Sequence, residues 1–225
     1  MASEYETSLP NGAGAPYVDA SNNGEWLFNF TGGSFAAANT PGGAIALTTA
    51  TGEGDINEIV GPLAFEADVG PFSVECEIQV ETDASSAAAI FFGFTDRKDA
   101  TEEPAIEDED GTLETDATDA VGIMLEREQD ATFQAVSTAA NADGAQTALT
   151  AAADVADDTW VKLRVEVAKD ASAKFFINDV HQTLGDRTAA ITSSVRMAPV
   201  ITLDGRAAVV TVWVRNLRAY GPGAE

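Results

Sequence analysis

Positive charge is scarce in this 225-residue chain. Twelve Lys and Arg stand against 37 Asp and Glu, a formal net charge of -25, and no Lys or Arg occurs before Arg97. A surface of that sign repels nucleic acid and anionic membranes, so neither is expected as a partner. Cys76 is the only cysteine, which excludes an intrachain disulfide and a thiolate metal cluster. His181 is the only histidine, so no two-imidazole metal site can be built. No apolar run approaches the ~20 residues that a membrane-spanning helix needs. The opening residues, MASEYETSLPNGAGAP, carry neither a basic nor an apolar region and do not read as a secretory signal. The expectation is synthesis in the cytoplasm. Neither a Gly-x-Gly-x-x-Gly phosphate cradle nor a Gly-x-Ser-x-Gly nucleophile turn occurs.

Strand periodicity fills the space left by these absences. From Ser73 to Glu81, Val74, Cys76, Ile78 and Val80 alternate with Glu75, Glu77, Gln79 and Glu81. From Val161 to Val167, Val161, Leu163, Val165 and Val167 alternate with Lys162, Arg164 and Glu166. Successive strand side chains point to opposite faces, so each stretch predicts a strand with one buried and one wet face. The turn residues Lys169 to Ser172 join the second stretch to Ala173–Ile177, predicting a hairpin that needs another sheet to cover it. Ile90 to Thr95 (IFFGFT) is apolar on both faces, as in a strand covered on both sides. Further strands are expected near residues 25–30, 34–38, 44–49, 120–127, 132–136, 180–184, 195–203 and 207–217. In the last of these, Val212 and Val214 are assigned to one face, and Trp213 and Leu217 to the other. No stretch shows a helical apolar stripe. About a dozen short strands with turn-rich spacers predict an all-β antiparallel sandwich.

Residues 1–24, rich in Gly, Pro, Asn and Ser, read as an extended N-terminal arm with Tyr5, Leu9, Tyr17 and Val18 as anchors. Residues 25–225 read as one sandwich domain interrupted by an acidic loop at 97–119. Charge is unevenly divided. Residues 1–159 hold 3 basic and 31 acidic side chains, and residues 160–225 hold 9 and 6. Lys162 and Arg164 therefore lie on a face available to acidic neighbours.

Three groups were weighed for chemistry. Glycoside hydrolysis with retention needs two carboxyls about 5–5.5 Å apart, and sandwich-fold glucanases place acids on alternate positions of one strand. In Glu77-Ile78-Gln79-Val80-Glu81 the middle acid is a glutamine, so the row reads as the solvated face of an amphipathic strand. Nine carboxylates between Ala100 and Asp119 (Glu102, Glu103, Glu107, Asp108, Glu109, Asp110, Glu114, Asp116 and Asp119) could supply oxygens to Ca²⁺. Aligning Gly111 with the glycine of a helix-loop-helix calcium site puts Ile106 and Ala117 at ligand positions and excludes that motif. A solvated loop is expected, with a loop-bound Ca²⁺ as the alternative. Trp26, Trp160 and Trp213 could form a sugar platform, but core or edge packing is the commoner use. His181 and Cys76 read as packing residues. No catalytic, cofactor or metal residues are assigned.

The segments FFGFTD (Phe91 to Asp96), AVGIML (Ala120 to Leu125) and the Trp160 to Asn178 hairpin together resemble the concanavalin A-like (laminin G-like) jelly roll. Asp179 stands where that family usually has a Gly after the Asn. More narrowly, the combination is similar to virion proteins of tailed phages with an Asp/Ala/Thr-rich loop after GFTD. The resemblance implies a non-enzymatic virion protein made in the host cytoplasm. Its most direct form is a capsid decoration or cement protein on a phage head. Its partners would be the major capsid protein and copies of itself in a trimer or other cyclic oligomer, with the arm clasping a neighbour. The same fold serves lectins, so the alternative implied is a carbohydrate- or receptor-binding module of a tail or fibre.

The charge excess itself carries a prediction. Salt shortens the range of self-repulsion, so the melting temperature followed by circular dichroism should rise from low to molar NaCl. Such a surface suits a saline working environment, marine or halophilic, and a flat response would remove that inference.

Overall fold

The computed structural model describes residues 4–8, 26–30, 32–38, 43–51, 55–81, 89–97, 105–109, 112–127, 132–149, 158–206 and 208–222. Among them the strands in the first half are β1 (Glu4–Ser8), β2 (Leu27–Phe30), β3 (Ser34–Ala38), β4 (Ala44–Thr48), β5 (Ile56–Val60), β6 (Phe72–Val80) and β7 (Ala89–Thr95). An acidic hairpin follows, β8 (Ile106–Glu109) and β9 (Thr112–Thr115). Then come β10 (Ala120–Glu126), β11 (Gln134–Ala139), β12 (Ala142–Asp143) and β13 (Thr147–Ala148). The chain ends with β14 (Val161–Val167), β15 (Ala173–Ile177), β16 (Val180–His181), β17 (Ala198–Asp204) and β18 (Thr211–Pro222). A 3-10 turn at Thr183–Gly185 follows β16 where more strand was expected.

Apart from the β8–β9 hairpin, which is a two-stranded sheet of its own, the described strands form two antiparallel sheets. Sheet A runs β16-β15-β14-β6-β18-β4-β3, with β1 added to the far end of β18. Sheet B runs β12-β11-β10-β7-β17-β5-β2, with β13 on β11. This is the antiparallel jelly-roll sandwich that the alternation implied. The inner face of sheet A carries Val74, Cys76, Ile78, Leu163, Val165, Val212 and Val214, all buried. It packs in one cluster with Phe92, Phe94, Ile123, Leu125, Ile201 and Leu203 of sheet B. Removing such side chains from water is worth roughly 1.5–3 kcal/mol each, and the two sheets supply each other's cover. Phe65, Phe72 and Phe94 close one end of the core, with ring centroids 4.7–5.7 Å apart.

Sheet B is buried on its outer face too, and the acidic segment explains why. Ala105, Ile106 and Ala117 pack with Phe91, Met124, Val136 and Val200 on that face. The expected solvated loop is therefore, over the described residues, partly a lid of strand. Ile106, Glu107 and Asp108 are buried. Asp119 is wholly buried as well, and its carboxylate accepts hydrogen bonds from the backbone N–H of Thr192 and Ala140. It fixes three chain segments. Leu9, Tyr17 and Val18 of the expected arm lie outside the described residues. Glu4–Ser8 is a strand paired with the chain's own Arg218–Pro222.

Local geometry accounts for two motif residues. Asn178 and Asp179 both have positive φ (50° and 63°) in the two-residue turn joining Ile177 to Val180. Asn and Asp tolerate that left-handed region better than other non-glycine residues, so Asp179 fits where a glycine was expected. Gly93 and Gly122, the glycines of FFGFTD and AVGIML, face each other across β7 and β10. A Cβ on Gly122 would sit 2.5 Å from both the Phe91 ring and the Phe92 carbonyl oxygen.

Gly122→Ala should therefore cost about 1–3 kcal/mol by overpacking, lowering the melting temperature by several degrees for a chain of this size. An unchanged melting temperature would show that the strands separate without cost.

Candidate functional site

The outer face of sheet A is built by the three longest amphipathic strands. β6 presents Glu75, Glu77 and Gln79, and β14 presents Lys162, Arg164 and Glu166, as their alternating burial requires. β18 would drift out of phase with them, but it contains a bulge. Arg215 pairs with Glu77 and Arg218 with Glu75, so three steps on β18 match two on β6. Asn216 takes up the extra residue at φ 54°. Such an insertion re-aims side chains at the cost of one unpaired ladder position. Here Leu217 and Ala219 turn inward and are buried, while Arg215, Arg218 and Tyr220 share the outer face. The assignment of Leu217 opposite Val212 and Val214 is thus reversed, because strict alternation does not survive the bulge.

Two charged rows result. One runs Arg218, Glu75, Arg164, Phe176, His181 across β18, β6, β14, β15 and β16. The next runs Arg215, Glu77, Lys162. Glu77 is the centre of the second. Its Oε2 accepts from Arg215 Nε and Nη2 at 2.8 and 2.6 Å, and its Oε1 accepts from Asn216 Nδ2 at 2.7 Å. The Arg215 guanidinium carbon lies 3.9 Å over the Trp160 ring, so the arginine is held from both sides. Lys162 Nζ reaches Glu75 at 3.4 Å and Asp179 at 3.0 Å. Between them Glu75, Cys76, Glu77, Lys162, Asn216 and Arg218 line a cleft of 220 Å³.

The electrostatics set what this cleft can do. Partial burial would raise the Glu77 carboxyl, but the hydrogen bonds from Arg215 and Asn216 and the charges of Arg215 and Lys162 hold it below its usual value. Glu77 is a fixed carboxylate, fitted to accept hydroxyl hydrogen bonds or to act as an ionised nucleophile, and unsuited to giving up a proton. Lys162 is held more firmly charged than usual, first by its hydrogen bond to Asp179 and then, against some burial, by Glu75. Cys76 is buried beneath, and burial together with Glu75 and Glu77 pushes its thiol up, so it is no nucleophile.

The remaining candidates fall elsewhere. His181 donates to or accepts from Asp186 Oδ1 at 2.7 Å and stacks on Phe176 at 5.0 Å, while Arg164 covers the same Phe176 ring at 4.0 Å. Trp213 lies opposite Gln79 on the outer face, whereas Trp26 is buried in the core. The three tryptophans therefore do not form one platform. Glu107 joins Glu126 and Asp204 around Arg206 at 2.9, 3.1 and 3.4 Å. Burial raises the Asp204 carboxyl, and the cluster ties the acidic hairpin to sheet B. Among the described residues, no group of three His, Cys, Asp or Glu is arranged to hold a metal ion. Arg215, Asn216 and Arg218 were not singled out by sequence; their one signal is the polar run Arg-Asn between Val214 and Leu217, where strict alternation places a polar residue inward.

No protein-family model matches the chain, and no curated protein matches it in sequence. Solved structures match in fold. A Bacillus licheniformis β-glucanase is 12% identical, with 96% of this chain and 97% of that one covered at a TM-score of 0.59. The receptor-binding domain of a botulinum neurotoxin C/D mosaic serotype is 10% identical at a TM-score of 0.56; 98% of this chain covers 48% of that one, so the chain spans about half its length. A carbohydrate esterase from the Shiga toxin-encoding bacteriophage phi24B is 14% identical, with 86% and 89% covered at a TM-score of 0.54. These identities establish a shared jelly-roll sandwich. They also correct the expectation of a non-enzymatic protein: a scaffold shared with a glucanase and a carbohydrate esterase gives no ground for excluding catalysis.

Because the folded pKa of Glu77 lies below 4.5, its ion pair adds stability above that pH, and the stability is lost as pH falls through the folded value. Arg215→Met should move the Glu77 carboxyl titration, followed by carbon NMR, up toward 4.5 or higher and flatten the acid limb of stability. An unshifted titration would show that Arg215 does not set the charge of the site.

Proposed function

We propose that the chain is a carbohydrate- or receptor-recognising sandwich module that takes a glycan on the outer face of sheet A, with Glu77 as the anchoring acceptor. One observation carries this reading: the cleft at the β18 bulge sets acceptors, Glu75 and Glu77, against donors, Lys162, Asn216 and Arg218, with Glu75, Glu77, Lys162 and Asn216 held in place by hydrogen bonds or ion pairs. A sugar ring offers hydroxyls that both donate and accept, and a site with both kinds of partner already oriented suits it. Trp160, Trp213 and Phe176 on or beside the same face supply apolar surface for the C–H side of a ring. Five of the twelve basic residues, Lys162, Arg164, Lys174, Arg215 and Arg218, lie here, so the face escapes the acidity of the remaining surface.

The virion setting implied by the motif resemblance gives such a module its task of holding a particle to a glycan-bearing surface, as a tail or fibre component. The capsid-surface role, with the major capsid protein and further copies of the chain as partners, loses Glu4–Ser8 as part of a clasp, since that segment is paired to β18. A second reading, β-glucan hydrolysis with Glu77 as nucleophile, is favoured by the carboxylate's ionised state.

Titration with β-linked gluco-oligosaccharides tests the proposal. Wild type should bind, and Glu77→Gln should bind about tenfold or more weakly, the ~1.4 kcal/mol expected of a charged hydrogen bond, while keeping the wild-type circular dichroism spectrum at the titration temperature. Equal affinity of both proteins, or none in wild type, overturns it. Reducing ends released by wild type and not by Glu77→Gln would add the hydrolytic reading.

A further inference from the structure

A second cleft adjoins the first along the same strands. Pro71 and Ala168, with Gly221 beside them, give it exposed apolar wall above the inward-facing Phe72 and Val167, and Ser73, Glu166, Ser172, Lys174 and Tyr220 add polar groups, around a volume of 360 Å³. Ser73 pairs with both Tyr220 and Glu166. The second cleft therefore sits one cross-strand row beyond Glu75 on β6, just as the first sits around Glu75 and Glu77. From Glu77 to Ser73 is four residues, about 13 Å at the ~3.3 Å rise of a strand, room for about two or three hexose units end to end.

We infer that the two clefts are consecutive subsites for one linear, uncharged β-linked glucan chain lying lengthwise along β6. The inference rests on the glycan reading of the first cleft. Charge argues for a neutral chain. Glu75, Glu77 and Glu166 line the clefts together with Lys162, Lys174 and Arg218, and Arg164, Arg215 and Asp179 stand beside them, so charges of both signs alternate along the groove in a molecule of net charge -25. A polyanion would meet those carboxylates, and a polycation would find stronger fields elsewhere on the surface. The contrast between the clefts argues for a ribbon-like sugar. The first has fixed polar partners that set orientation. The second offers the accessible apolar surface of Pro71, Ala168 and the Tyr220 ring with a polar rim, suited to the C–H face of a further ring with its hydroxyls at the edge. An extended β-linked chain presents those two surfaces in succession without bending.

The test is the length dependence of binding, using β-linked glucose disaccharide and hexasaccharide. Wild type should bind the hexasaccharide at least tenfold more tightly than the disaccharide. Tyr220→Ala should remove most of that gain and leave disaccharide affinity unchanged. Ala168→Trp, which fills the second cleft from its exposed edge, should do the same and serves if Tyr220→Ala does not fold. Equal affinity of wild type for the two lengths overturns the lengthwise groove while leaving the first cleft's reading intact. So does loss by both variants of disaccharide and hexasaccharide alike, or of neither. Binding of neither sugar by wild type overturns both readings.

Discussion

The outer face of sheet A depends on the phase of side chains in three neighbouring strands. β6 and β14 keep strict alternation and so separate an apolar face from a charged one. β18 keeps step only because Asn216 adds one residue between Arg215 and Arg218. Without it, the inward set would continue through 212, 214 and 216, leaving Leu217 in water and burying Arg218. With it, Leu217 and Ala219 join the core, and the outer face gains Arg218 and Tyr220 beside Arg215, around Glu75 and Glu77. A packing requirement and a binding arrangement are thus met by the same backbone irregularity. Asn216 adds its side chain to the site it creates, through the bond to Glu77.

Much of this architecture is legible in the residues. The runs SVECEIQVE and VKLRVEV state both their strand character and their inward faces, because a two-residue period has one meaning in a chain that lacks helical stripes. IFFGFT announces a strand covered on both sides, although what covers its outer face is not visible locally. The cover comes from the acidic segment, where Ile106 and Ala117 are isolated apolar residues among carboxylates and carry no period strong enough to read. The bulge is hidden for a similar reason. A single shift of phase in a strand is indistinguishable, in sequence, from an exposed leucine.

The candidate site was half legible. The acidic row was seen on β6, and the glutamine at 79 argued against the full acid set of a glucanase. Its basic partners could not be paired with it, since Arg215 meets Glu77 across 138 positions. That pairing changes the meaning of Glu77 from a solvated carboxylate to a clamped acceptor. The tryptophans show the converse: Trp160 and Trp213 belong to the outer face and Trp26 to the core, a division set by sheet topology rather than by local pattern. His181, conspicuous for being alone, is accounted for by stacking and by Asp186 at the sheet edge.

The central claim, that a glycan lies on the outer face of sheet A, is most directly tested by mapping amide and indole NMR shifts during titration with a β-linked gluco-oligosaccharide. The account predicts perturbations confined to β6, β14 and β18, strongest around Glu77 and Asn216 and including the Trp160 indole. Shifts concentrated on sheet B or on the acidic hairpin, with the Glu77 region unmoved, would contradict it.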